Sequence, residues 1–180
     1  MVIFERIKFW QNADRIGPDI PINHYKLYFK TLGRKLCQKK FKYFGEGAEF
    51  RPGAYAIACS KISIGKRVVI RPSTMLFAET LDAGGEITIE DEVLIGSGVH
   101  IYTTNHRFND PNQLIINQGS NVADVILEKG CWLGANVIVL PGVVIGEGSV
   151  VGAGSVVTKS IPKKVLAAGN PVRIIRNIGP

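Results

Sequence analysis

From Leu127 onward the aliphatic residues recur every six positions. The segments LEKGCW, LGANVI, VLPGVV, IGEGSV, VGAGSV and VTKSIP begin with Leu127, Leu133, Val139, Ile145, Val151 and Val157. Glycine recurs in the second place (Gly134, Gly146, Gly152), and small or β-branched residues fill the fifth (Cys131, Val137, Val143, Ser149, Ser155). The same period runs upstream through Ile64 and Ile70 and through Ile89, Ile95 and Ile101, with FGEGAE, FRPGAY, AIACSK and ISIGKR from Phe44 as degenerate opening rungs. A period of six is neither helical nor a plain alternating strand. It fits a solenoid in which six residues supply one short strand and one turn, so that three strands close a triangular coil. Residues 18 apart then stack, and β-branched side chains suit such a column. Glycine is expected at the corners, where positive φ is needed. The pattern predicts an all-β parallel β-helix over residues 44–176.

One stretch breaks the period. Residues 107–124, RFNDPNQLIINQGSNVAD, carry no repeat, and an interruption of that length in a regular solenoid reads as a protruding functional loop. It begins directly after His106, one of three histidines.

A different pattern occupies residues 1–43. Tyr25, Tyr28, Leu32 and Leu36 recur at three- and four-residue spacing, which predicts an amphipathic helix between His24 and Phe44. No acid lies between Asp19 and Glu46, whereas Lys26, Lys30, Arg34, Lys35, Lys39, Lys40 and Lys42 do, so the net charge of +7 belongs to this segment. Its alternatives are a helix docked on the main domain with a solvated basic face, or a surface for anionic lipid or glycan at residues 24–44. No nucleic-acid module accompanies the charge, so nucleic acid is not expected as a partner.

Composition narrows the class. Hydrophobic residues are 46% and charged residues 21% of the 180, a globular balance. Three cysteines at wide spacing argue against a disulfide framework, and neither they nor the histidines show metal-ligand spacing. The opening MVIFERIKFWQNADRIGP has no unbroken apolar stretch and no small-residue cleavage site. A cytoplasmic protein with reduced thiols and no metal is therefore expected. Cys131 occupies the small fifth place of its hexad, as Val137 and Ser149 do, and is read as packing rather than as a nucleophile.

The repeat together with GVHIYTTNHRFNDP resembles the hexapeptide-repeat acyltransferases, and in particular the maltose, galactoside and polysaccharide O-acetyltransferases. The resemblance implies a left-handed coil and a homotrimer with sites between subunits. It implies acetyl-CoA as co-substrate and a carbohydrate hydroxyl as acceptor. It assigns the general base to His106, and Asn105 is placed beside it to orient the base or contact the acceptor. The stretch from WLGANVIVLPG to GNPVRIIR resembles the coenzyme A-binding half of these enzymes. It places Ala135, Ala153, Thr158, Lys159, Arg173 and Arg176 against the cofactor and Trp132 near the base. Glu79, Asp82 and Asp110 are weaker candidates for acceptor binding or for orienting the imidazole. The stretch RPSTMLFAETLDAGG departs from the galactoside-type acceptor pattern. Transfer to an amino sugar or another small acceptor, and a non-catalytic β-helix scaffold, are the competing readings. Residues 177–180 are expected to form a short tail.

Overall fold

In a computed structural model of the chain, residues 3–80 and 84–179 are described. Three stacks of short parallel strands form the faces of a triangular prism. On the first face, Phe44, Ile64, Ile89, Leu127 and Ile145 lie in one column. On the second, Phe50, Ile70, Ile95, Leu133, Val151 and Ala167 do so. On the third, Ala56, Leu76, Ile101, Val139 and Val157 do so. These columns point inward and are buried along their whole length. Each fully buried Ile, Leu or Val contributes about 1.5–3 kcal/mol of transfer free energy. Surface ion pairs contribute about 0–1 kcal/mol each, so the aliphatic columns hold the coil together.

Glycine does two different jobs in the repeat. Positive φ falls in the fourth place, at Gly142, Gly148 and Gly154 and at Asn136. The second-place glycines are required by contact. A Cβ on Gly134 would lie 2.6 Å from the amide nitrogen of Ala153, in the coil above. At this corner the backbones of successive coils run too close for any side chain.

The N-terminal segment is three helices rather than the one expected: α1 (Ile3–Asn12), α2 (Pro21–Lys26) and α3 (Lys30–Lys40). The apolar stripe read from the sequence is corrected in part: Leu36 is buried, but Tyr25, Tyr28 and Leu32 are exposed, and Leu27, Gly33 and Cys37 complete the buried face. This face closes the open end of the prism. Phe41 stacks on Phe44 at 5.8 Å and meets Phe50 at 5.3 Å. A solenoid end needs such a cap because its last coil has no neighbour to cover its apolar interior. His24 helps dock the cap: its Nε2 accepts a hydrogen bond from the Gly53 N–H at 3.3 Å, and its Nδ1 is buried without a partner. Burial holds its pKa below the ordinary imidazole value. The first coil strand starts at Tyr43, and the final strand, Arg173–Asn177, folds back antiparallel on Val165–Ala168 to close the other end. Among the described residues no helix is long and apolar enough to cross a membrane.

Candidate active site

The repeat is interrupted at one corner in two neighbouring coils, and the two interruptions touch. The regular strand ends at Phe77 and the next begins at Ile87; it ends again at Tyr102 and the next begins at Val125. The second excursion opens as an antiparallel ribbon, Thr104–His106 against Ser120–Val122, with His106 opposite Ser120 and Asn105 opposite Asn121. The ribbon lifts His106 and Asn105 off the prism, and both are exposed. Arg107 braces it: its Nε donates to Asn121 Oδ1 at 3.0 Å, and its backbone N–H donates to the Gly119 carbonyl.

Glu79, from the first excursion, holds the base of the ribbon. It is only 6% exposed, and its Oε2 accepts a hydrogen bond from Thr104 Oγ1 at 2.5 Å. Gly85 folds over it, and a Cβ there would meet Glu79 Cβ at 2.4 Å. Asp110 lies further out on the loop, where its Oδ1 accepts the Asn112 N–H and its backbone is bracketed by Gln118. Asp82 lies outside the described residues.

His106 and Asn105 line a cleft of about 430 Å³ with Tyr102, Thr104 and Leu140. Tyr102 stacks on Phe77 at 5.1 Å, with its hydroxyl 2.9 Å from His100 Nδ1. Thr158 follows Val157 just as Leu140 follows Val139, so Thr158 and Lys159 sit on the same edge of the prism as His106. Tyr102 and Leu140 were not anticipated. The Leu140 position was readable, because it falls 18 residues before Thr158 in the repeat.

Trp132 lies on a different face. It is 51% exposed and borders a cleft of about 460 Å³ with Gly96, Gly134, Ala135, Leu94 and Arg71. Ala135 and Ala153 are exposed on the edge between the second and third faces, beside the stacked glycines. Within one chain, the His106 edge and the Ala135–Ala153 edge are therefore separated by the whole third face. Arg173 and Arg176 are exposed on the closing strand, with Arg176 opposite Leu166.

The thiols are not available for chemistry. Burial pushes Cys131 up to about 12, so it stays protonated near neutral pH. Among the described residues no group of His, Cys, Asp and Glu side chains is placed to hold a metal ion.

The bacterial transferase hexapeptide family (six repeats) matches residues 124–159. The galactoside O-acetyltransferase of Escherichia coli strain K12 is 36% identical over 143 residues, covering 79% of this chain and 67% of that protein. The chain belongs to the hexapeptide-repeat acetyltransferases. A hexapeptide-repeat acetyltransferase from Vibrio cholerae, crystallised with acetyl coenzyme A, superimposes with a TM-score of 0.75 at 26% identity over 90% of both chains. An N-acyltransferase from Bacillus cereus, AntD, in complex with dTDP and 3-hydroxybutyryl-CoA, superimposes with a TM-score of 0.61 at 25% identity over 82% of this chain and 88% of that one.

Proposed function

We propose that this acetyltransferase moves an acetyl group from acetyl-CoA directly to a hydroxyl of a carbohydrate, with His106 as general base. The observation that carries the reading is the placing of His106 on a braced ribbon at the mouth of a cleft. The cleft has an aromatic and aliphatic wall of Tyr102 and Leu140. Such a wall suits the apolar face of a sugar ring, and Asn105 supplies a polar contact for its hydroxyls.

A sugar hydroxyl attacks a thioester poorly until its proton is removed, and imidazole is the side chain whose ordinary pKa suits that task near neutrality. His106 takes the hydroxyl proton as the oxygen bonds to the thioester carbonyl carbon. The C–S bond then breaks, and the imidazolium returns the proton to the departing thiolate. No enzyme-bound acyl group is required, which agrees with the protonated state of the buried Cys131.

The cleft beside Trp132, with its low wall of Gly134 and Ala135, suits an extended pantetheine arm. Ala153 continues that wall, Thr158 and Lys159 lie across the groove on the His106 edge, and Arg173 and Arg176 offer forked donors to phosphates. The coil is left-handed in this reading. Because the two halves of the site lie on separate edges of one chain, the groove is completed by a neighbouring copy. The assembly is a homotrimer.

The test is product identification. The protein is incubated with acetyl-CoA and a panel of sugars, sugar nucleotides and their amino counterparts, and the products are read by mass spectrometry and NMR. The reading predicts an O-acetyl ester on a hydroxyl acceptor. An acetamide formed only with amino sugars would establish the N-acetylating alternative instead.

A further inference from the structure

The basic N-terminal cap carries a feature that the transfer reaction does not use. Tyr25, Tyr28 and Phe29 form an exposed aromatic cluster, with ring centroids 5.3 Å apart for Tyr25–Phe29 and 6.3 Å for Tyr25–Tyr28. Tyr25 and Tyr28 are each 65% exposed, and Leu32, at the start of α3, is 49% exposed. These residues turn away from the prism, since the inner side of α3 is already filled by Gly33, Leu36 and Cys37.

The cations divide into two groups. Lys40 is committed to the fold, where its Nζ donates to the Gln11 and Ala13 carbonyls at 3.0 and 2.6 Å and ties down the end of α1. Lys42 pairs with Glu86. Lys30, Arg34, Lys35 and Lys39 form no ion pair among the described residues. Leu32, Lys35 and Lys39 follow one another on α3 at spacings of three and four, and Tyr28 and Phe29 lie in the turn that leads into it, so the exposed side is apolar at the start of α3 and cationic towards its end. No acid interrupts the sequence from Ile20 to Gly45. In the same cap, α1 buries none of its ten residues, although Ile3, Phe4 and Phe9 are among them.

We infer that this cap is a docking surface for a membrane rich in anionic phospholipid. Unpaired lysines draw the cap to the surface potential, and the aromatic cluster with Leu32 enters the headgroup boundary, where tyrosine and phenylalanine are favoured. Charge alone would serve an anionic glycan equally well. The aromatic side chains of the preceding turn and Leu32 at the start of α3, next to those lysines, favour lipid. The cap adsorbs to one leaflet without spanning it and holds the enzyme at a lipid–water interface. This inference stands whether or not the acceptor reading above is right.

The experiment is co-sedimentation of the intact protein with vesicles of phosphatidylcholine alone or with about 30% phosphatidylglycerol added, at about 0.1 M and 0.5 M salt. The wild type is expected to pellet with the anionic vesicles, to remain in solution with the zwitterionic ones, and to be largely released by the higher salt. The double variant Lys35→Glu/Lys39→Glu is expected to partition at least about tenfold more weakly, and Tyr28→Ser/Leu32→Ser several-fold more weakly. Both variants should keep the wild-type thermal transition and oligomeric mass, because all four side chains are exposed. Retention of the wild type in the supernatant with anionic vesicles overturns the proposal. So does binding to a soluble anionic polysaccharide but not to vesicles. A changed oligomeric mass in Tyr28→Ser/Leu32→Ser, with unchanged vesicle binding, would show that the patch is covered by a second copy of the chain.

Discussion

The Thr104 hydroxyl donates to the buried Glu79 carboxylate at 2.5 Å, two residues before His106. This bond joins the two excursions from the coil and fixes the start of the ribbon that carries the proposed base. Removing one partner of a buried hydrogen bond costs about 1–3 kcal/mol, more than an exposed ion pair contributes. Thr104→Val should therefore lower kcat by about tenfold while leaving the KM for acetyl-CoA close to wild type. Thr104→Ser should recover most of the loss. Steady-state kinetics of the two variants checks this, and equal loss in both would remove the hydroxyl's positioning role.

The stacked glycines allow a second prediction. Gly134→Ala and Gly154→Ala exchange the same atoms for different physical reasons. The first forces a Cβ to within 2.6 Å of the Ala153 nitrogen, whereas the second meets nothing within 4 Å but sits at φ +71°. Gly154→Ala should cost about 1–2 kcal/mol, the penalty of a left-handed residue. Gly134→Ala should cost more, about 2–4 kcal/mol, because backbone must move. Urea denaturation of both variants orders them.

Cys131 is buried in the fifth-place column and held protonated. The native protein should resist thiol alkylation at this position at neutral pH, and Cys131→Ala should retain activity within about twofold. Mass mapping after brief alkylation, with and without denaturant, reads the first part.

His24 gives the pH dependence a sign. Its pKa in the folded protein lies below the unfolded value because burial disfavours the cation, so the unfolded chain takes up the proton first. The stability it contributes is full above the ordinary imidazole value of about 6.5 and declines as the pH falls through the folded value. His24→Gln, which cannot titrate, should flatten the stability profile between about pH 5 and 7. An unchanged slope in the variant would assign that pH dependence to other groups.

Much of this architecture was legible in the sequence because a six-residue period has few physical solutions. Leu127, Leu133, Val139, Ile145, Val151 and Val157 all proved to be buried. An excursion was visible as a break in the same period after His106, although the chain turns off the coil earlier and His106 lies on the ribbon itself. The cap was misread for a definite reason. Tyr25, Tyr28 and Leu32 have the spacing of a core stripe, but the chain turns between α2 and α3 and presents Leu27 and Cys37 inward instead. Corner glycines of positive φ were readable, as at Gly148 and Gly154, but the contact that demands Gly134 was not, because composition does not report how close a neighbouring coil runs. The grasp of Glu79 on Thr104 was invisible because the two residues are 25 apart and meet only once the coil has closed. Nor could the sequence reveal that the Trp132 and His106 clefts open on different faces of one chain.

That separation makes a prediction about assembly. If the groove is shared between copies, His106→Ala and a variant that blocks the opposite wall, Ala153→Trp, should each be inactive alone. Hybrids formed by co-expressing the two should regain a measurable fraction of wild-type activity. Hybrids as inactive as either parent would place both walls of each site on one chain.

The most direct test of the account is acetyl-CoA turnover by His106→Ala with a confirmed acceptor, measured alongside acetyl-CoA affinity. Loss of a general base predicts a fall in kcat of about 100-fold or more, with the affinity for acetyl-CoA and the thermal transition unchanged. Turnover equal to wild type, from a variant that binds acetyl-CoA normally, would contradict the assignment of His106 and the mechanism built on it.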